Sequence, residues 1–328
     1  NFDTSSLTAY ASAGTAFRVY QITSPYTTDQ LFDIKFAQSA DVMYLVHPSV
    51  AIQKLTRTGH TSWSIGACTI TGSPNPSLSS TDNFPSSVAF FEQRLVFAGT
   101  NNNPQSLFFS VAGSYENFAT GTNATDAMIY TIASNQVNAI QFLKAQRTLI
   151  VGTTGGEFTV SADGTNASIT PTNILINRQS SYGSANVDAI PAGNATLFLQ
   201  RAKRKIRELA YNFDVDGYVA PDLTILAEHI TKGGITQMAY QEEPLSIIYA
   251  VREDGELVAL TYQRDQQVVA WHRHIFGGAF GTGNAVCESI AVIPTDLDEY
   301  EVYVIIKRTI NGATKRYVEV LNTFNFTE

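Results

Sequence analysis

The sequence predicts an all-β fold: a β-propeller of six blades, each of about four antiparallel strands. Three observations lead there. Short apolar runs rich in β-branched and aromatic residues recur about every 50 residues, each run has strand-like neighbours at similar offsets, and turn residues separate them. One anchor from each run gives Leu45, Leu95, Leu149, Leu197, Ile247 and Tyr303, spaced 50, 54, 48, 50 and 56 residues apart. Runs this short, bounded by turn chemistry, read as buried strands rather than helices.

A second strand precedes each anchor by about ten residues, at 32–36, 88–91, 137–142, 187–190, 235–240 and 289–293. A turn and a third strand follow it, at 52–57, 106–110, 157–160, 205–210, 256–262 and 316–321. The turns include Asp254-Gly255 and Asn311-Gly312, pairs that supply the positive φ a two-residue hairpin needs. Fourth strands are legible at 62–65, 128–132, 174–178 and 268–273. A single four-stranded sheet cannot bury both faces alone, and packing sheets side by side around an axis solves this. The last repeat lacks a fourth strand, and the spare N-terminal strand at 17–22 is placed to complete it. The same spacing also admits a seventh blade or a split into two sheets. No helix is expected; 223–230 has some helical period but is short and uncapped. Segments 72–85, 101–104 and 164–172 read as loops. Residues 1–328 read as one propeller domain, since no linker divides them. The start at Asn1 points to a processed chain or to a segment of a longer one.

Composition bounds the partners. Charged residues make up 15% of the chain, below the roughly 25% usual for globular domains, so Ser, Thr, Asn and Gln carry much of the solvation. That suits an exterior partly covered in an assembly. The formal net charge is −8, which disfavours a tight grip on nucleic acid but allows a polyanion to pass without sticking. No apolar run is long enough to span a bilayer. Two distant cysteines, Cys68 and Cys287, read as small buried hydrophobes rather than a disulfide framework. Sequons at Asn123, Asn166, Asn194 and Asn325 carry little weight in a chain this rich in Asn and Thr.

Candidate chemistry is sparse. His272 and His274 fall on one face of a strand and could share a metal, but no third ligand stands at a recognisable spacing, so packing at the strand end is the stronger reading. Asp214-Val215-Asp216-Gly217 begins like a calcium loop, yet the twelfth position is Ile225 where a bidentate Glu is required. A tight turn is expected instead. Gly152-Thr153-Thr154-Gly155-Gly156 lacks a phosphate-loop lysine and reads as a hairpin. No metal or other cofactor is expected, and no catalytic set can be nominated. The one strong basic run carries Arg201, Lys203, Arg204, Lys205 and Arg207 between two strands. It reads as a solvated hairpin tip, a dock for an acidic neighbouring subunit, or a contact to DNA phosphates.

Four strings then carry a resemblance. They are Pro25-Tyr26-Thr27-Thr28-Asp29-Gln30-Leu31-Phe32-Asp33-Ile34-Lys35-Phe36-Ala37-Gln38-Ser39-Ala40-Asp41, Gln93-Arg94-Leu95-Val96-Phe97-Ala98-Gly99-Thr100-Asn101-Asn102-Asn103-Pro104-Gln105, Gly113-Ser114-Tyr115-Glu116-Asn117-Phe118 and Trp271-His272-Arg273-His274. Together, in this order along nearly the whole chain, they resemble the tail tubular, or nozzle, proteins of short-tailed bacteriophages. The resemblance implies a propeller-bearing structural virion protein without catalytic residues. It implies a ring, usually of six copies, that extends the DNA conduit of the tail. Its expected partners are the portal and adaptor above, fibres or spikes beside it, and double-stranded DNA passing through without specific binding. Relatives of that kind are often longer, with further domains. The competing expectation is a carbohydrate-binding or carbohydrate-cleaving propeller of a host-recognition device, which calls for aromatic side chains exposed on one face.

Overall fold

The computed structural model describes residues 20–78, 82–133, 138–164, 167–295 and 299–321, with Thr8–Ala9 and Phe17–Arg18 described as strands only. Among the described residues six antiparallel sheets of three or four strands follow one another along the chain, and the fold class is a six-bladed β-propeller. The two helical pieces among the described residues are short 3-10 helices, Thr28–Asp33 and Phe213–Val215. The chain forms two compact units, one of residues 1–149 and 160–176, the other of 150–159 and 177–328.

The first unit holds two complete sheets. One runs Lys35–Ser39, Val42–His47, Val50–Gly59, Ser62–Ala67; the next runs Pro85–Phe91, Arg94–Thr100, Ser106–Phe109, Met128–Thr131. Their core gathers Tyr44, Val46, Ile52, Val88, Leu95, Phe97 and Phe108 with two loop residues, Leu78 and Phe118. Phe118 reaches the core because its loop is tied down. The Arg94 guanidinium is 2% exposed and donates to the carbonyls of Ser110, Ala124, Thr125 and Asp126 at 2.6–3.3 Å. The Glu116 carboxylate accepts from Tyr44 Oη at 3.0 Å and pairs with Lys54. Phe118 then stacks on Phe97, with ring centroids 5.7 Å apart. Arg94, Glu116 and Phe118, from the strings 93–105 and 113–118, therefore clamp loop 111–127 on the core.

The third sheet, Ile140–Ala145, Leu149–Thr153, Gly156–Ala162 and Ile174–Ser180, gives residues to both units. The second unit holds the fourth sheet (Ile190–Ala192, Ala195–Leu199, Ile206–Asn212, Gly217–Val219) and the fifth (Ile235–Gln241, Ile247–Arg252, Leu257–Gln263, Val268–His274). It also holds the sixth, Val286–Pro294, Tyr300–Ile310 and Ala313–Leu321. The fifth sheet shows why the repeat works. Ile248, Ala250, Val258 and Leu260 pack with the fourth sheet, while Ile247, Tyr249, Val251, Leu257 and Ala259 pack with the sixth. Alternation of period two thus buries both faces of one sheet, each large aliphatic side chain contributing about 1.5–3 kcal/mol.

Several boundaries differ from the sequence reading. The strand expected at 32–36 starts at Lys35, because Thr28–Asp33 coils into a 3-10 turn whose Gln30 side chain accepts from the Thr27 N–H at 2.9 Å. The strand expected at 187–190 is Ile190–Ala192, continuing through Pro191 to a turn at Gly193-Asn194. The strand expected at 137–142 is Ile140–Ala145; Val137 lies outside the described residues. The expected N-terminal closure differs as well. Phe17–Arg18 pairs with Thr8–Ala9, residues 20–22 are not a strand, and the sixth sheet has three strands among the described residues. The structure adds a short fourth strand, Gly217–Val219, and a hairpin of Ala279–Phe280 with Gly283–Asn284. Asn166 and Asn325 lie outside the described residues.

A candidate basic interface

The basic run folds as the turn between Ala195–Leu199 and Ile206–Asn212. Residues 201–204 are exposed, and Lys203 takes the left-handed conformation at φ +59° while its N–H donates to Gln200 O at 2.7 Å. Beyond the turn the charges diverge. Lys205 is neutralised, with its ammonium 2.8 Å from Asp222 and 3.0 Å from Glu228. Hydrogen bonds to those two carboxylates raise its pKa. Burial raises the Asp222 carboxyl, but the bonds from Lys205 and Thr224 outweigh this and hold it below the usual range. Ile206 turns inward to the core, and Arg207 lies outward, two residues on from Lys205.

Arg207 is fixed on three sides. Its Nε donates to Gln200 Oε1 at 2.8 Å, one terminal nitrogen donates to Ala220 O at 2.7 Å, and the guanidinium carbon sits 3.5 Å from the Tyr182 ring centroid. That stacking is a cation–π contact of about 0.5–2 kcal/mol. A second cation group meets the hairpin turn at Thr154-Gly155. Arg178 donates to Gly155 O at 2.8 Å and Arg201 approaches Thr154 O at 3.4 Å. Among the described residues Arg178, Arg201, Lys203, Arg204 and Arg207 form no ion pair with a carboxylate. A chain of net charge −8 therefore keeps a cluster of cations here, on the turn 201–204 and on the strands Ile174–Ser180 and Ile206–Asn212.

Two buried devices hold this face. Glu157, 0% exposed, accepts from Ser184 Oγ at 2.7 Å, from Ser180 Oγ, and from the Tyr182 backbone N–H. Burial raises its pKa; the hydrogen bonds and Arg207 pull back without cancelling it. The second device is Gly183, at φ +74°, where a Cβ would lie 2.3 Å from Thr154 O. Gly183→Ala is expected to lower unfolding free energy by about 1–3 kcal/mol and to loosen residues 180–184. Urea unfolding together with hydrogen exchange at Tyr182 checks it.

Of the five residues expected as an interaction patch, the structure leaves Arg201, Lys203 and Arg204 exposed without an ion pair among the described residues, sets Arg207 in front of the buried Glu157 carboxyl, and removes Lys205 into an ion-pair cluster. Arg178, Tyr182, Tyr218 and Glu157 were not singled out from sequence. They lie in other strands and loops and carry no local motif; their joint position comes from the sheet order alone. The other weighed motifs resolve as turns or packing. Asp214 and Asp216 belong to the 3-10 turn at the tip of the last hairpin of the fourth sheet, where Asn212 accepts from the Asp214 N–H and Tyr211 donates to Asp216. His272 and His274 do share a face, with ring centroids 4.9 Å apart, and burial lowers both pKa values. Among the described residues no three His, Cys, Asp or Glu side chains gather as metal ligands. Both cysteines are free, and burial pushes their thiols up to about 12 for Cys68 and about 11 for Cys287.

No family model matches the sequence, and no curated protein matches it. Among solved structures the chain is similar to the β-propeller domain of Cps50 (Swd1) from Myceliophteria thermophila, at 7% identity and TM-score 0.49, covering 88% of this chain and 85% of that one. It is also similar to Hsv2p of Kluyveromyces lactis, at 10% identity and TM-score 0.47, covering 90% of this chain and 75% of that one. A putative 6-phosphogluconolactonase from Bacteroides uniformis aligns at 9% identity and TM-score 0.49, covering 87% of each chain. At such distances a shared fold says nothing of activity, because propellers carry scaffolds, binding modules and enzymes alike.

Proposed function

We propose that the chain is a non-enzymatic structural protein of a bacteriophage tail: a nozzle-like ring, most simply a hexamer, forming part of the DNA conduit between adaptor or portal and the distal fibres or spikes. The observation that carries this reading is the set of four strings at 25–41, 93–105, 113–118 and 271–274, in one order along the chain. A propeller is the fold that resemblance implies, and the net charge of −8 fits a conduit past which DNA slides. The exposed cations at Arg201, Lys203 and Arg204 then serve as the dock for an acidic neighbouring subunit rather than for DNA.

The test is assembly. Negative-stain images and native mass measurements of the chain, alone and with its adaptor and fibre partners, are expected to give a closed ring. Charge reversal of Arg201, Lys203 and Arg204 to Glu is expected to weaken assembly at least about tenfold, more so at low salt. Monomers under every condition, partners included, overturn the reading.

A further inference from the structure

We propose that the hollow beside Arg207 binds an acidic saccharide, the guanidinium taking the carboxylate and Tyr182 and Tyr218 offering ring faces to the sugar. The hollow is about 600 Å³ and lies against the last two strands of the fourth sheet. Gln179, Ser181, Tyr182, Arg207, Tyr218 and Pro221 are among its walls.

Three features fix the class of ligand. First, the charge at the wall is a guanidinium held in place in advance. Two of its nitrogens are spent on Gln200 and Ala220, Tyr182 stacks on it, and it forms no ion pair among the described residues. A planar fork of this kind suits a carboxylate, and little side-chain entropy remains to be lost on binding. Second, the remaining walls are aromatic, aliphatic or neutral polar. Tyr182 is 42% exposed, and Tyr218 is braced edge-on by Tyr211, with centroids 5.8 Å apart. A sugar presents an apolar ring face to such a surface and hydroxyls to Gln179 and Ser181. Third, the hollow is shallow and open to water, so its occupant must stay hydrated on one side. That excludes a wholly apolar ligand, which needs enclosure. A nucleic-acid strand would call for a row of cations along the groove, whereas the walls of this hollow carry one guanidinium, with the buried Glu157 carboxyl nearby.

The proposal stands apart from the tail reading, since a monomer that binds the sugar would keep one and lose the other. The test titrates the full chain with tetragalacturonate and a sialylated trisaccharide, with methyl-esterified tetragalacturonate and tripolyphosphate as comparisons. Calorimetry and saturation-transfer NMR are the readouts. An acidic saccharide is expected to bind with a dissociation constant of roughly 0.1–1 mM. Esterification, Tyr182→Ala and Arg207→Lys should each weaken it about tenfold or more, the last because Lys keeps the charge and loses the fork. Lys232→Ala, an exposed lysine outside the hollow, should leave it unchanged. If Tyr182→Ala does not fold, Tyr218→Ala gives the same reading. Equal binding of the ester, or no binding by either acidic sugar at about 10 mM, overturns the proposal. So does tighter binding of tripolyphosphate that falls equally in Lys232→Ala and Arg207→Lys.

Discussion

Replacing Arg94 by alanine is expected to lower unfolding free energy by about 3–5 kcal/mol. The side chain is 2% exposed and its cation faces backbone carbonyls of Ser110, Ala124, Thr125 and Asp126. Burial lowers its pKa, and Glu92 and Asp126 oppose that shift. Truncation removes every one of those donors at once and leaves four carbonyls without their common partner. Arg94→Lys is also expected to be costly, by roughly 2 kcal/mol, since an ammonium cannot span carbonyls from residues 110 to 126. Because the lost contacts are concentrated on loop 111–127, limited proteolysis should cut within that loop in both variants before the rest of the chain unfolds. Unfolding free energies from urea titration within about 0.5 kcal/mol of the parent would show that the clamp is not holding the loop.

This clamp also shows what a sequence can and cannot reveal. The strands of the six sheets were legible because each is a local event: a run such as Ile247-Ile248-Tyr249-Ala250-Val251 alternates two apolar faces, and turn residues stop it. Errors fall where local preference is weak. Leu31 and Phe32 are apolar, yet they sit in a capped 3-10 turn at 51% and 72% exposure. Gly217–Val219 is too short for any periodicity, and it pairs only because Ile206–Asn212 lies beside it. The interface was half legible. The run 201–207 announces itself by charge, but which cation stays free depends on Asp222 and Glu228, distant partners that neutralise Lys205. Arg178 and Tyr182 join the site across sheet neighbours, and Arg94 looks like an ordinary surface cation until its four carbonyls come into view.

Glu157 gives a second large effect, with a pH dependence opposite to that of most carboxylates. Glu157→Ala leaves Ser180 Oγ, Ser184 Oγ and the Tyr182 N–H without their common acceptor, and should cost about 2–4 kcal/mol. Glu157→Gln should cost less, because the amide oxygen still accepts and the serine hydroxyls can rotate. The sign of the pH effect follows from burial. Desolvation raises the folded-state pKa above the unfolded value, so between those two values the folded chain binds the extra proton. Stability from this group is therefore greatest below the unfolded pKa and declines as pH rises through the folded one. Asp222 and Glu288, whose pKa values are lowered by their partners, act in the opposite direction, losing stability as pH falls. They are present in both proteins, so the difference in unfolding free energy between parent and Glu157→Gln isolates Glu157. That difference, taken from urea midpoints between about pH 4 and 8, should shift in favour of Glu157→Gln as pH rises. Parallel curves would mean that the buried carboxylate carries no excess proton. The three donors from Ser180, Tyr182 and Ser184 would then compensate its burial fully, and the loop that presents Tyr182 would rest on an ionised anchor at every pH in that range.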